Sequence, residues 1–257
     1  MVADTAYIPA SGVAGKVQRL KARALARRPA RLDLDRPLVS FSFDDFPRSA
    51  ATEAAPRLEA QGWRGTFYAA AGMAGGANHL GRLYDLGDLH RLARSGHEIG
   101  CHTYAHFDAA RMDADALAAE VDRNARCLRL AGYEGALASF AFPYGEATPQ
   151  AKARLASRFL ALRGVRPGVN RTGSDLNLLS AVPLDGGEAG LAAALRQLDA
   201  AARRPGWIIF YGHDVRETPS EWGCTPAFFE TVVDAVAATG AEVVTVREGA
   251  RRAGAAA

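Results

Sequence analysis

Two adjacent carboxylates, Asp44 and Asp45, and two histidines four apart, His102 and His106, are the residues best suited to hold a cation and move a proton. In HTYAH the histidines are i, i+4, so a helical turn would place both rings on one face, where they could bind one metal ion. Alone, such a pair reads as a surface coincidence. The Glu of the HExxH zinc motif is missing, because Thr103 stands there, so a base must come from elsewhere. Asp44-Asp45 offers one: neighbouring carboxylates repel unless a cation or a proton neutralises one of them. Asp45 taken alone reads equally as a cap of the following turn. A third histidine, His213, precedes Asp214, and with all three sites together the metal reading prevails.

These residues need elements to position them, and from Pro37 onward the sequence supplies a rhythm. Apolar runs PLVSFSF (37–43), GTFYAAA (65–71), HEIGC (97–101), ASFAF (138–142), FLALR (159–163), WIIFY (207–211) and AEVVTV (241–246) read as strands. Helical patterns near 49–61, 85–95, 113–131, 148–157, 190–203 and 226–239 lie between them. Runs apolar on both faces, alternating with helices, predict a parallel sheet covered by helices. About seven strands predict an α/β fold, a distorted (β/α) barrel in a single domain. Asp44-Asp45, His102, Pro143-Tyr144-Gly145, Arg166-Pro167-Gly168 and His213-Asp214 each follow a strand. In a parallel barrel these ends form one rim, where reactive groups gather. His79, His90 and His97 fall outside this set and read as structural.

The chain has 257 residues, 49% hydrophobic and 23% charged, ample for a buried core. The net charge of +3 says little about partners, and no nucleic acid is expected. Three cysteines without a CxxC spacing fit neither a disulfide framework nor a zinc-thiolate site. The N-terminus does not read as a secretory signal, and no apolar run approaches a membrane span. A cytoplasmic location is the expectation. Residues 1–35 read as a basic extension: Lys16, Arg19, Lys21, Arg23, Arg27, Arg28 and Arg31 occur without an acid from 16 to 31. Val17, Leu20 and Ala24 share one helical face, and Pro29 should end that helix.

The motifs SFDD (42–45), GTFY (65–68), SGHEIGCHTYAH (95–106), FAFPYG (140–145) and FYGHD (210–214), in this order, resemble the NodB-type polysaccharide deacetylases of carbohydrate esterase family 4. The likeness runs from Pro37 to Glu248 and makes 36–257 a NodB-homology domain. It implies Asp45, His102 and His106 as ligands of Zn²⁺, or of Co²⁺ or Ni²⁺. It implies Asp44 as general base, His213 as general acid and the backbone N–H of Tyr144 as oxyanion donor, with Pro143 and Tyr144 against the substrate. The expected reaction is N-deacetylation of N-acetylglucosamine-type residues in a bacterial exopolysaccharide or its lipid-linked precursor. Within the family the chain resembles bacterial holdfast polysaccharide deacetylases.

One position departs from the pattern. Where the family often carries an Arg that tethers the base, this chain has Ala141, and Arg166 is the expected replacement. Asp175 is the expected acid partner of His213, with Asp214 second; Asp175 reads equally as a loop-turn residue. Trp222 either stacks on a sugar at the cleft edge or packs its own loop. Cys101 reads as packing.

Rival readings share the site. They are a hydrolase of a formamido sugar, a cyclic amide or an O-acetyl sugar, and a non-catalytic saccharide-binding scaffold. The Asp44/His213 pair argues against the scaffold, and the βα rhythm argues against a two-His-one-carboxylate iron oxygenase. The basic 16–31 segment is either a solvated helix on the barrel or a contact with the anionic inner face of the cytoplasmic membrane. A homodimer is expected on general grounds alone.

Overall fold

The computed structural model describes Pro9 and residues 11–255. Its order is α1 (Gly12–Ala24), β1 (Leu38–Asp44), α2 (Ala55–Ala60), β2 (Thr66–Ala69), β3 (Ala77–Asn78), β4 (Gly81–Arg82), α3 (Leu86–Arg94), β5 (Glu98–Cys101), α4 (Ala114–Leu130), β6 (Ser139–Ala141), α5 (Pro149–Leu155), β7 (Ala161–Arg163), β8 (Val182–Pro183), α6 (Gly187–Arg203), β9 (Trp207–Gly212), α7 (Pro226–Ala238), β10 (Glu242–Val243) and α8 (Val246–Arg252). A π-helical turn, Ala50–Ala54, leads into α2.

Eight strands form one parallel sheet in the order β7-β6-β5-β2-β1-β9-β8, with β10 beside β1. Residues 179–184 draw its edges together. The N–H of Leu179 donates to Leu162 on β7, while that of Leu184 donates to Tyr211 on β9. The result is a distorted barrel with flanking helices, as the strand rhythm predicts. The strand missing from that rhythm, β8, is two residues long and has no readable period.

The final strand differs from expectation. Only Glu242 and Val243 pair with β1, and by Val246 the chain is helical. Thr245 and Glu248 form a capping box, whose T-x-x-E signal overlaps the apolar run in the sequence. The runs are also less uniformly apolar than a doubly covered strand requires. On β1, Val39, Phe41 and Phe43 join the core under the helices, whereas Ser40, Ser42 and Asp44 alternate onto the inner face. That inner face is polar at depth. Ser40 accepts a hydrogen bond from the Trp207 indole, and Thr66 and Ser139 hydroxyls donate to buried Glu98.

The basic helix α1 ends at Ala24, ahead of Pro29, because its C-terminal end is held by the barrel. Buried Lys152 on α5 donates to the carbonyls of Ala22 and Leu25, and Arg28 donates to those of Ala156, Phe159 and Leu160. Residues 28–32 then run extended along the 172–176 loop.

Candidate active site

Asp44 ends β1, and Asp45 follows it in a left-handed conformation at φ 55°. This turn separates the two carboxylates into different tasks. Arg163, at the end of β7, reaches across the barrel and donates to both carboxylate oxygens of Asp44. The Tyr68 and Tyr211 rings face the Arg163 guanidinium, with centroids at 5.2 and 5.0 Å. Burial alone would raise the Asp44 carboxyl, but the charge and hydrogen bond of Arg163 outweigh it and hold the group below the usual carboxylate range.

Asp45 points the other way. Its Oδ1 lies 3.6 Å from Nε2 of His102 and 3.3 Å from Nε2 of His106, and it is buried without a hydrogen-bond partner. Such separations suit three donors around one divalent ion with ligand bonds of about 2.1 Å. An orphaned carboxylate oxygen facing two ring nitrogens fits a cation. Burial, more than the like charge of Asp44, raises the Asp45 carboxyl. It also depresses both histidines, to about 4 each, so both rings are neutral, as ligands must be. Nδ1 of His102 donates to the Ala141 carbonyl at 2.8 Å, leaving Nε2 with its lone pair towards Asp45. Nδ1 of His106 meets the Tyr144 hydroxyl at 3.2 Å. The donor set of two imidazoles and a carboxylate is that of a divalent metal centre, suited to zinc, cobalt or nickel.

The two histidines do not share a helical face. HTYAH is a loop, in which Thr103 and His106 are left-handed at φ 60° and 56°. Helix α4 supports it: Glu120 accepts from the N–H of Ala105, and Arg123 lies 3.7 Å over the Tyr104 ring. Tyr144, also left-handed at φ 58°, sits in the turn Pro143–Gly145 after β6 with Pro143 buried beneath it. Asp45, Thr103, His106 and Tyr144 thus gather sparsely populated backbone conformations around one centre.

A cleft of about 550 Å³ opens over this centre, lined by Asp44, Asp45, both histidines, Tyr144, His213 and Trp222 among others. His213 donates from Nδ1 to the Trp222 carbonyl at 3.2 Å. The Trp222 side chain is 47% exposed at the cleft edge and so is not spent on packing its loop.

Two expected partners lie elsewhere. Arg166 does not meet Asp44; it lines a different cavity, and Arg163, three residues earlier, holds the carboxylate. Asp175 pairs with Lys152 at 2.6 Å and accepts from the N–H groups of Arg28 and Asn177, which fixes it under the N-terminal segment. Asp214 accepts from Ser220 and pairs with Arg216, holding the 214–224 loop. Besides Asp44 and Asp45, a carboxylate in electrostatic range of His213 is Asp185, just past β8, whose own carboxyl burial raises and His213 partly lowers. His79 lines the cleft, while His90 and His97 hold backbone and Glu59. Cys101 is buried against Asn124, its thiol pushed up to about 11 by burial.

Residues 31–163 match the Polysaccharide deacetylase family, and the chain belongs to that family. A chitin deacetylase of Arthroderma benhamiae is 27% identical over 86 residues, which are 33% of this chain and only 22% of that relative. The Xyl-CE4 domain of a multidomain xylanase from the hindgut metagenome of Trinervitermes trinervoides superposes with a TM-score of 0.60 at 19% identity, covering 86% of this chain and 92% of that domain. A family 4 acetyl xylan esterase from Clostridium thermocellum, solved with a cobalt ion, gives 0.56 at 24% identity, covering 82% and 89%. These likenesses establish the shared fold.

Proposed function

We propose that this chain is a metal-dependent hydrolase that removes acetyl groups from N-acetylglucosamine-type residues of a bacterial exopolysaccharide or its lipid-linked precursor, releasing acetate. The observation that carries the reading is the division of labour between neighbours. Asp45 faces the histidines, while Asp44 is kept off the metal set and ionised by Arg163 beneath an open cleft. A saccharide-binding scaffold has no use for that second carboxylate.

When bound, the metal supplies Lewis-acid polarisation of the acetamide carbonyl. Asp44 accepts the proton of the attacking water, and Arg163 keeps it ionised and oriented. The backbone N–H of Tyr144 donates to the carbonyl oxygen as it gains negative charge. His213, its Nδ1 fixed on the Trp222 carbonyl, offers Nε2 to the departing amine, with Asp185 in electrostatic range. Trp222 gives the sugar an exposed face to stack on.

The location that goes with this proposal is cytoplasmic, with a peripheral contact at the inner face of the cytoplasmic membrane. Helix α1 supports this: Val13, Val17 and Leu20 form an exposed stripe flanked by Lys16, Lys21 and Arg23, opposite the buried Gly15 and Ala22. Among the described residues no helix is long and apolar enough to cross a membrane. The narrower holdfast assignment rests on the motif resemblance alone.

The test is acetate release from N-acetylglucosamine oligomers with and without Zn²⁺, comparing wild type with Asp44→Asn. Metal-dependent release, lost in the variant while metal binding persists, supports the reading. Release from acetylated xylan but from no oligomer would move the assignment to O-acetyl esters. No bound metal would end it.

A further inference from the structure

A second cavity, of about 630 Å³, lies between α1 and the 164–180 loop. Arg19, Arg23 and Arg27 from the N-terminal segment line it, with Arg166 opposite. Its two acids are already matched. Glu146 takes Arg19 at 2.8 Å, and Asp175 takes Lys152 at 2.6 Å. Arg23 and Arg166 are exposed and have no acid partner among the described residues, and Arg27 donates only to the Gly173 carbonyl at 2.6 Å. Three guanidinium groups without carboxylates therefore face one concave space.

This space adjoins the catalytic cleft. Val165 lines both, and Gly145, which follows Tyr144, packs so closely on Val165 that a Cβ there would overlap it. Val165 is therefore the boundary between the metal centre's cleft and the arginine cavity.

We propose that this cavity is a binding site for an oxyanion carried by the glycan substrate. The proposal deepens the function stated above and rests on it for the word substrate. Guanidinium forks recognise phosphate and carboxylate alike, so the anion is either a phosphate-type linkage or a uronate in the chain. The arginines come chiefly from residues ahead of the family match, which begins at residue 31.

The experiment titrates inorganic pyrophosphate and glucuronate into the metal-loaded protein at low salt, comparing wild type with the R23Q/R166Q double variant. Both side chains are exposed, so the fold should persist, and an unchanged melting temperature checks that. Wild-type binding that weakens about tenfold in the variant and fades with salt is expected. Equal binding by both proteins would place the anion on the metal instead and overturn the proposal, as would no binding by wild type. A second arm compares N-acetylglucosamine oligomers that are neutral, end in pyrophosphate, or contain glucuronate. Wild type should favour one anionic form by about tenfold in kcat/KM, and the variant should lose that preference. The preferred form identifies the source of the anion. Wild-type turnover without such a preference would overturn the assignment to the substrate. Absence of acetate release from every oligomer, with pyrophosphate binding still lost in the variant, would remove the proposed reaction and leave an anion site of another ligand.

Discussion

The guanidinium of Arg163 reaches from β7 across the barrel interior to both carboxylate oxygens of Asp44 on β1, and both side chains are buried. The two strands stand four places apart in the sheet, so only a closed or nearly closed barrel brings them face to face.

Arg163→Met should therefore do two things. It leaves a buried carboxylate unpaired, a loss of about 3–5 kcal/mol in folding stability. It also removes the charge that keeps Asp44 ionised, so the acid limb of the pH–rate profile should move to higher pH, with kcat/KM near pH 6 down about 100-fold. Denaturant melts and pH profiles check both parts. An unmoved acid limb would show that Arg163 is structural only.

Tyr144 supports His106 through the contact of its hydroxyl with Nδ1. Tyr144→Phe keeps the ring and removes that contact. Metal affinity, read by competition with a chromogenic chelator, should weaken about tenfold. Affinity equal to wild type would mean that solvent replaces the hydroxyl without loss.

The metal-free protein should lose stability on mild acidification. His102 and His106 fall to about 4 in the folded state, chiefly through burial, from an ordinary value of 6.5. Between those values the unfolded chain binds protons that the folded one refuses, so stability is full above pH 6.5 and declines as pH drops towards 4. His97, lowered by burial, adds in the same direction, while Asp45, raised by burial, offsets part of the loss. Thermal melts in chelator from pH 7.5 to 5 should slope downward, and His102→Gln should flatten the slope. A flat wild-type curve would contradict the neutral-histidine account.

Lys152 is fully buried beneath α1, on the carbonyls of Ala22 and Leu25 and the carboxylate of Asp175. Lys152→Met should cost about 3–5 kcal/mol by stranding Asp175, and Lys152→Met/Asp175→Asn should recover part of it. Proteolysis near residue 25 should rise in the single variant, because α1 loses its C-terminal hold.

The sequence made the scaffold readable because each buried strand ends in a turn carrying a polar residue. Asp45, His102 and His106 follow β1 and β5 in this way, and the structure brings them together at one rim. What stayed hidden depends on contacts across the barrel. FLALR ends in an arginine, an odd finish for a buried run, yet nothing local says that its side chain crosses to Asp44. Arg166 is the more visible candidate because it follows a strand end. Asp185 escaped because β8 is two residues long, so its position past a strand end had no periodic signal. The i, i+4 spacing allows a helical turn at the histidines, but left-handed residues intervene and make a loop.

Strand β1 pairs with β9 over Leu38–Phe43, with β2 over Ser42–Asp44 and with β10 at Leu38 and Val39. Asp44 thus ends, and Asp45 directly follows, the strand with the most hydrogen-bonded neighbours. Amide exchange at β1 must await global opening, since no edge exists from which it can fray. Heat should consequently silence the centre only when the whole barrel melts, and partial inactivation ahead of melting would have to begin in the loops that carry His106 and Trp222.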